Sequence, residues 1–311
     1  MGVYIGISGW RYPPWRGVFY PPGLAQHREL AWAARVLPTI EINGSFYSLQ
    51  TPQSYAEWYA ETPPGFVFGV KGGRFITHVR RLREIEKPLA NFFASGVFNL
   101  REKLGPFLWQ FPPQFRYDAE RFEDFFALLP RDAEQALALA RRRDSRMTGR
   151  ARLAIDANYR LRHAVEIRHE SFLDEGFLAQ LERHRIALVV ADTAGKWPLL
   201  ERVTSDFMYL RLHGDKALYA SGYGDAALER WAAKIRGWAR KRDVYCYFDN
   251  DVKVRAPFDA RRLIEKLGLA DSEAPARSWT EGRRRLRGAK VETPALQPLR
   301  WDFGRKRARV R

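Results

Sequence analysis

The chain predicts a (β/α)8 barrel of the TIM type, and three observations carry that prediction. Short β-branched and aromatic runs recur eight times, and amphipathic helical patterns separate most of them. The first run leads into Ser8-Gly9-Trp10-Arg11-Tyr12, without the glycine-rich phosphate turn that opens a doubly wound sheet. Alternating strands and helices make parallel strands with crossover helices, and eight such strands close a barrel.

The expected strands are Tyr4–Ser8, Thr39–Asn43, Val67–Lys71, Phe107–Phe111, Ala164–Arg168, Ala187–Asp192, Phe207–His213 and Val244–Asp249. Leu24–Val36 reads as the first helix. Pro52–Glu61 follows, with Thr51 suited to cap it and Pro52 at the first helical position. Ala119–Leu129 is amphipathic. The stretch Arg131–Arg162 exceeds one crossover and reads as a second helix followed by an arginine-rich excursion from Arg141 to Arg152. Thr193–Asp206 has no helical period, so one helix is short or missing there. Ala226–Arg240 and Phe258–Leu267 complete the set, the latter ending at Gly268, a good C-cap. Residues 1–269 thus form a single barrel domain. From 270 to 311 the pattern gives way to Pro, Gly and Arg, which reads as a flexible basic extension that Trp279, Trp301 or Phe303 could dock.

A formal charge of +17, most of it from arginine, favours polyanions such as nucleic acid or phosphorylated small molecules. The single cysteine, Cys246, allows no internal disulfide and suits a reducing compartment. The N-terminus lacks a signal-peptide pattern, and no apolar run approaches the ~18 residues of a membrane helix. The expectation is a cytoplasmic protein with no membrane partner; the oligomeric state is not legible.

Strand periodicity of two sorts each strand into an outer and an inner face. Ile40 and Ile42 oppose Glu41 and Asn43; Val165 and Ile167 oppose Glu166 and Arg168; Leu210 and Leu212 oppose Tyr209, Arg211 and His213. Phe66, Phe68 and Val70 likewise oppose Val67, Gly69 and Lys71. The apolar face must meet the helices, so Ser8, Glu41, Asn43, Lys71, Gln110, Glu166, Arg168, Asp192, Arg211, His213 and Asp249 are expected around the C-terminal mouth, where barrel enzymes keep their chemistry. Buried charges must pair, so a hydrogen-bonded network is expected. Two readings compete: a structural polar plug, and a preorganised site for an anionic or polyhydroxyl ligand. Seven charged residues from six strands exceed what packing needs, which favours the site.

Several stretches also resemble the YecE-like family, known as domain of unknown function 72. They are Ile5-Gly6-Ile7-Ser8-Gly9-Trp10, Trp15-Arg16-Gly17, Glu41-Ile42-Asn43-Gly44-Ser45-Phe46-Tyr47, Thr77-His78, Leu104-Gly105-Pro106 and Trp109-Gln110-Phe111-Pro112-Pro113. Further along come Glu166-Ile167-Arg168-His169, Ala191-Asp192-Thr193, Arg211-Leu212-His213-Gly214 and Tyr247-Phe248-Asp249-Asn250-Asp251. Gly44 before Ser45 departs slightly from the family's pattern. The resemblance implies a TIM-type barrel and supplies no activity; its likeness to the endonuclease IV and xylose isomerase groups is one of fold.

On these residues the expected catalytic groups are Glu41, Glu166, His213 and Asp249. The expected ligand-binding groups are Ser8, Trp10, Asn43, Lys71, His78, Gln110, Arg168, His169, Asp192, Arg211 and Asn250. No metal ligand is assigned: histidines are few, and no H-x-H or H-E-x-x-H spacing occurs. One magnesium or manganese ion on the carboxylates is disfavoured, because Lys71, Arg168 and Arg211 would repel it. Those cations could instead clamp a phosphate or carboxylate, and the loop from Gly214 to Gly224 stands where such barrels often cradle phosphate. Trp10-Arg11-Tyr12-Pro13-Pro14-Trp15-Arg16 could stack a base or sugar, or act as a proline-stiffened lid. Cys246, between two tyrosines, reads as inert packing. The functional expectation is a phosphate-bearing ligand, nucleotide or nucleic acid, bound at the mouth, with hydrolysis as the reaction. The alternatives are a non-catalytic nucleic-acid binder acting through its basic surface and tail, and a sugar-processing enzyme.

Overall fold

The computed structural model describes residues 1–269. Its eight strands are β1 (Val3–Ser8), β2 (Thr39–Ile42), β3 (Val67–Lys71), β4 (Leu104–Gln110), β5 (His163–Glu166), β6 (Ala187–Asp192), β7 (Phe207–Leu212) and β8 (Asp243–Phe248). All pair in parallel, each with its neighbours in sequence, and β8 closes on β1. The expected extension at 270–311 lies outside the described residues.

The helices are α1 (Glu29–Ala33), α2 (Gly44–Tyr47), α3 (Pro52–Glu61), α4 (Glu86–Ala94), α5 (Ala119–Leu128), α6 (Ala133–Ala140), α7 (Glu175–His184), α8 (Asp225–Ala239) and α9 (Ala256–Lys266). Thr51 caps α3 as its sequence predicts, accepting from the Ser54 amide at 3.1 Å. Asp118, Asp132 and Asp174 cap α5, α6 and α7 in the same way. Gly268 follows α9 with φ of +69°, the left-handed backbone that glycine reaches at little cost. Between β6 and β7 no helix forms among the described residues, in keeping with the missing period of Thr193–Asp206.

The helices differ from expectation in four places: α2 and α7 form where none is expected, and α1 and α4 depart for local reasons. The helix expected over Leu24–Val36 shrinks to α1, preceded by one 3-10 turn at Gln26–Arg28. Buried Glu29 opens α1 and accepts from Arg16 Nε at 2.7 Å, so a tertiary ion pair anchors the start of this short helix. The connection from β3 to β4 contains α4, which periodicity does not single out. Its exposed polar residues are confined to Glu86 and Lys87 in the first turn, and Leu89 through Ala94 are all buried.

Alternation along the strands splits the interior in two. Ile5, Ile7, Ile40, Ile42, Phe68, Val70, Val165, Leu210, Leu212 and Cys246 face outward into the main core beneath the helices. Leu108, Ala164, Ala187, Val189, Ala191, Phe207, Tyr209, Tyr245 and Tyr247 fill the barrel lumen, with Tyr4 and Val67 against them. The lumen has room for tyrosines because facing strands carry glycine. A Cβ on Gly69 would sit 2.8 Å from Tyr247 Oη and 3.1 Å from Tyr209 Oη. Tyr247 Oη shares a 2.9 Å hydrogen bond with Thr39 Oγ1, so the middle layer is both packed and polar-satisfied. The lumen is therefore closed below, and a ligand can enter only from the C-terminal mouth.

Candidate functional site

Above the tyrosine layer the lumen-facing positions turn ionic. Arg211, on β7, is fully buried on the barrel axis. It fits there because its neighbour on β6 is Ala191. Its guanidinium donates to Glu166 Oε2 at 2.7 Å, Ser8 Oγ at 2.8 Å, Glu41 Oε1 at 2.9 Å, Asp249 Oδ2 at 3.0 Å and Glu41 Oε2 at 3.2 Å. One side chain thus bridges β7 to residues of β1, β2 and β5, and to Asp249 just past β8. Glu41 also accepts from Tyr209 Oη at 2.6 Å and from the Ser8 hydroxyl. Glu166 also accepts from Arg168 Nε at 2.8 Å.

Burial alone would raise the carboxyl of Glu166, but Arg168 and Arg211 outweigh it and hold Glu166 well below the usual carboxylate range. Arg211, aided by His213, does the same for Asp249 against its burial. His213 Nδ1 lies 3.0 Å from Asp249 Oδ2 but is not aligned for a hydrogen bond, so neither ring nitrogen has a hydrogen-bond partner.

Over this floor opens a cavity of about 720 Å3, within the usual range for small-molecule sites. Trp10, Tyr12, Phe46, Tyr47, Trp58 and Tyr219 form its aromatic walls; Arg11, Lys71, Arg74, Arg168, Asp249 and Asp251 bring its charge, and His78 lines it as well. Trp10 is held edge-on by Trp58 at 5.3 Å, and Tyr12 leans on Trp15 at 4.6 Å. Arg168 lies over the Trp197 ring at 4.0 Å and donates to Tyr219 Oη at 3.2 Å. His78 shares a 2.8 Å hydrogen bond with Thr77 Oγ1; burial and nearby Lys71 push it down to about 4, so it is neutral at physiological pH.

Lys71 is set apart. It is 8% exposed, its ammonium lies 4.4 Å from the centre of the Phe46 ring, and no carboxylate of the described residues is within ion-pairing distance. Burial and the positive charge of Arg211 push it down to about 8, against the pull of Glu41, Asp249 and Glu166. Asn43 Oδ1, one residue past β2, and Gln110 Oε1, at the end of β4, are buried acceptors with no partner among the described residues. Asp251 is pushed up to about 6 by burial and by Asp249.

The family model described as "Protein of unknown function DUF72" matches residues 4–283. The chain belongs to the DUF72 family. Along 285 residues it is 25% identical to UPF0759 protein YecE of Escherichia coli (strain K12), covering 85% of this chain and 92% of that one. UPF0759 protein YunF of Bacillus subtilis (strain 168) is 32% identical over 118 residues, 36% of this chain, and the match spans only 41% of that relative. A DUF72 family protein from Thermotoga maritima has a solved structure with TM-score 0.70 and 25% identity, covering 86% of this chain and all of that one. One from Enterococcus faecalis shares the fold, with TM-score 0.66 and 18% identity over 86% of this chain and 96% of its own.

In this DUF72 barrel the sequence-predicted residues separate into three sets. Trp10, Asn43, Lys71, His78, Gln110, Arg168 and Asp249 line the cavity. Ser8, Glu41, Glu166, Arg211 and His213 lie buried in or beside its floor and do not line it. Asp192, His169 and Asn250 belong to neither set, and one rule explains all three. Each is one residue out of phase with the inward positions 191, 168 and 249. Asp192 accepts from Tyr223 Oη at 3.1 Å, Asn250 donates to Asp259 on α9 at 2.9 Å, and His169 Nδ1 accepts from the Ser171 amide at 3.0 Å.

The loop from Gly214 to Gly224 also departs from the phosphate-cradle expectation. Ser221 Oγ takes the amides of Lys216 and Ala217, so the turn satisfies itself, and from this loop only Tyr219 reaches the cavity. Cys246 is buried on the outer face, and burial pushes its thiol up. Sequence reasoning missed Arg74 and Asp251 as site residues. Asp251 was within reach, because it continues the inward phase of 247 and 249; Arg74 lies beyond Gly72-Gly73, where strand phase ends. Among the described residues no three His, Cys, Asp or Glu side chains are placed to hold a metal ion, and no helix is long and apolar enough to cross a membrane.

Proposed function

We propose that this protein binds a small phosphate-bearing ligand, a mononucleotide or a sugar phosphate, at the C-terminal mouth of its barrel. The observation that carries this reading is the unneutralised Lys71 in an aromatic-walled cavity that also holds Arg74 and Arg168. A buried ammonium without a carboxylate costs stability, and an incoming anion removes that cost. The aromatic walls suit the face of a base or sugar, and the unpartnered oxygens of Asn43 and Gln110 suit its hydroxyl or amino donors. Arg211 supports this site from beneath, since its donors are spent on Ser8, Glu41, Glu166 and Asp249. Were the ligand hydrolysed, Asp251 would serve as base rather than Asp249, which also lines the cavity but is engaged by Arg211. Glu41 and Glu166 are sealed under the floor.

Calorimetric titration with mononucleotides and sugar phosphates tests this. Saturable binding should weaken by about ten- to a hundredfold in Lys71→Met and in Arg168→Met, the loss of one charge-assisted contact. It should be unchanged in Arg230→Ala on the exposed side of α8. Equal binding by Lys71→Met and the parent would remove the pocket from the reading.

A further inference from the structure

We propose that Lys71 is an imine-forming nucleophile, and that the ligand of this pocket is an aldehyde or ketone carrying an anionic group. This rests on the anion-binding reading above and specifies the reacting group.

A second buried lysine in the same molecule shows what a structural one looks like. Lys103 is 4% exposed, and its ammonium donates to Thr62 O at 2.6 Å, Tyr59 O at 2.7 Å and Thr62 Oγ1 at 3.1 Å, closing the C-terminal end of α3. Lys71 is as deeply placed but has no such acceptors. Its stem rises from the lumen at the end of β3, its nitrogen rests on the Phe46 ring, and it opens onto the cavity. Beyond that ring contact its ammonium makes no hydrogen bond and no salt bridge among the described residues.

Its surroundings suit a neutral amine. Burial and the Arg211 guanidinium below disfavour a second cation, and outweigh the neighbouring carboxylates and the Phe46 ring face, which favour one. With the amine near 8, a minor fraction carries a free lone pair at physiological pH, far more than an ordinary lysine offers. Arg168 and Arg74 then hold the anionic end of the ligand, while Asn43, just past β2, and Gln110, at the end of β4, can accept from hydroxyls near the carbonyl.

The step balances without a further reactant. The Lys71 lone pair attacks the carbonyl carbon and forms the C–N bond, while the π pair moves to oxygen, which takes up a proton. The nitrogen gives up one proton to leave a carbinolamine, the hydroxyl departs as water with a second proton, and the nitrogen gives up its remaining proton, so that a neutral C=N bond remains. Amine and carbonyl give imine and water, with no oxidation or reduction.

The test is reductive trapping of the full chain with glyceraldehyde 3-phosphate and sodium cyanoborohydride, read by intact mass and peptide mapping. We expect one adduct, on Lys71, forming at least about tenfold faster than at any other lysine, slowed by inorganic phosphate and absent in Lys71→Arg. A thermal melt of Lys71→Arg keeps loss of the adduct distinct from loss of fold. Adducts spread over surface lysines, or phosphate ligands bound with Lys71 unmodified, overturn the imine proposal and leave the anion reading standing. A Lys71 adduct that forms equally with unphosphorylated glyceraldehyde and ignores inorganic phosphate supports the imine and overturns the anion reading.

Discussion

Arg211 and Lys71 are two cations of the same lumen with opposite fates. Arg211 is saturated by three carboxylates and is held charged far above its usual range, against its own burial. Replacing it with methionine leaves Glu41 and Asp249 buried without their cation and Glu166 with Arg168 alone. We expect Arg211→Met to lose about 3–5 kcal/mol in denaturant unfolding at pH 7. In the parent, Glu166 and Asp249 titrate below their unfolded values of 4.5 and 3.8, so the stability they provide is full above that range and is lost as pH falls through their folded values. In the variant the same carboxyls are pushed upward, so the gap between the two proteins should narrow as pH drops from 7 to 5. A loss under about 1 kcal/mol, or a gap that widens on acidification, would contradict the floor described here. Most of this cluster is legible in the sequence from strand phase, because a polar residue among alternating apolar ones can only face the lumen. Which of its members touch the cavity is not legible. That depends on height along the barrel axis, and the register that sets height, Ser8 beside Glu41 and Gln110 beside Glu166, is a property of closure.

The strands and their order follow from sequence, while the helices are read less evenly. α3, α5, α8 and α9 alternate buried and exposed residues along their length, whereas α4 ends in six consecutive buried residues, and α1 is cut short by the turn before it. At this scale the lumen is a problem of volume. Gly69 on β3 leaves space for the hydroxyls of Tyr209 and Tyr247, which approach from β7 and β8. Gly69→Ala should therefore destabilise by about 1–3 kcal/mol, the usual cost of overpacking. Removing one obstruction with Tyr247→Phe should restore part of the loss, so the double variant should be less destabilised than the sum of the two. Simple additivity in thermal unfolding would show that the layer does not pack as described.

Taken whole, the chain carries a formal +17, and most of that charge has no place in the pocket. Exterior charge attracts polyanions without selecting them, through counterion release. We expect duplex DNA to bind weakly and without sequence preference, to lose at least about tenfold in affinity between roughly 50 and 200 mM salt, and to bind Lys71→Met as well as the parent. Fluorescence anisotropy across that salt range checks this. Displacement of DNA by a saturating sugar phosphate would instead place both ligands in one site. Net charge is read directly from composition, but the division between exterior and cavity emerges only once the strands close.

The wall between β6 and β7 has no helix, and its irregular segment supplies Trp197, the ring on which Arg168 lies. Arg168 is thus gripped on one side by the rigid Glu166 floor and on the other by the least regular crossover of the barrel. Whatever anion engages Arg168 will also damp the fluctuations of residues 193–206, so occupancy should register as slower amide exchange in that segment, some distance along the chain from any atom the ligand touches.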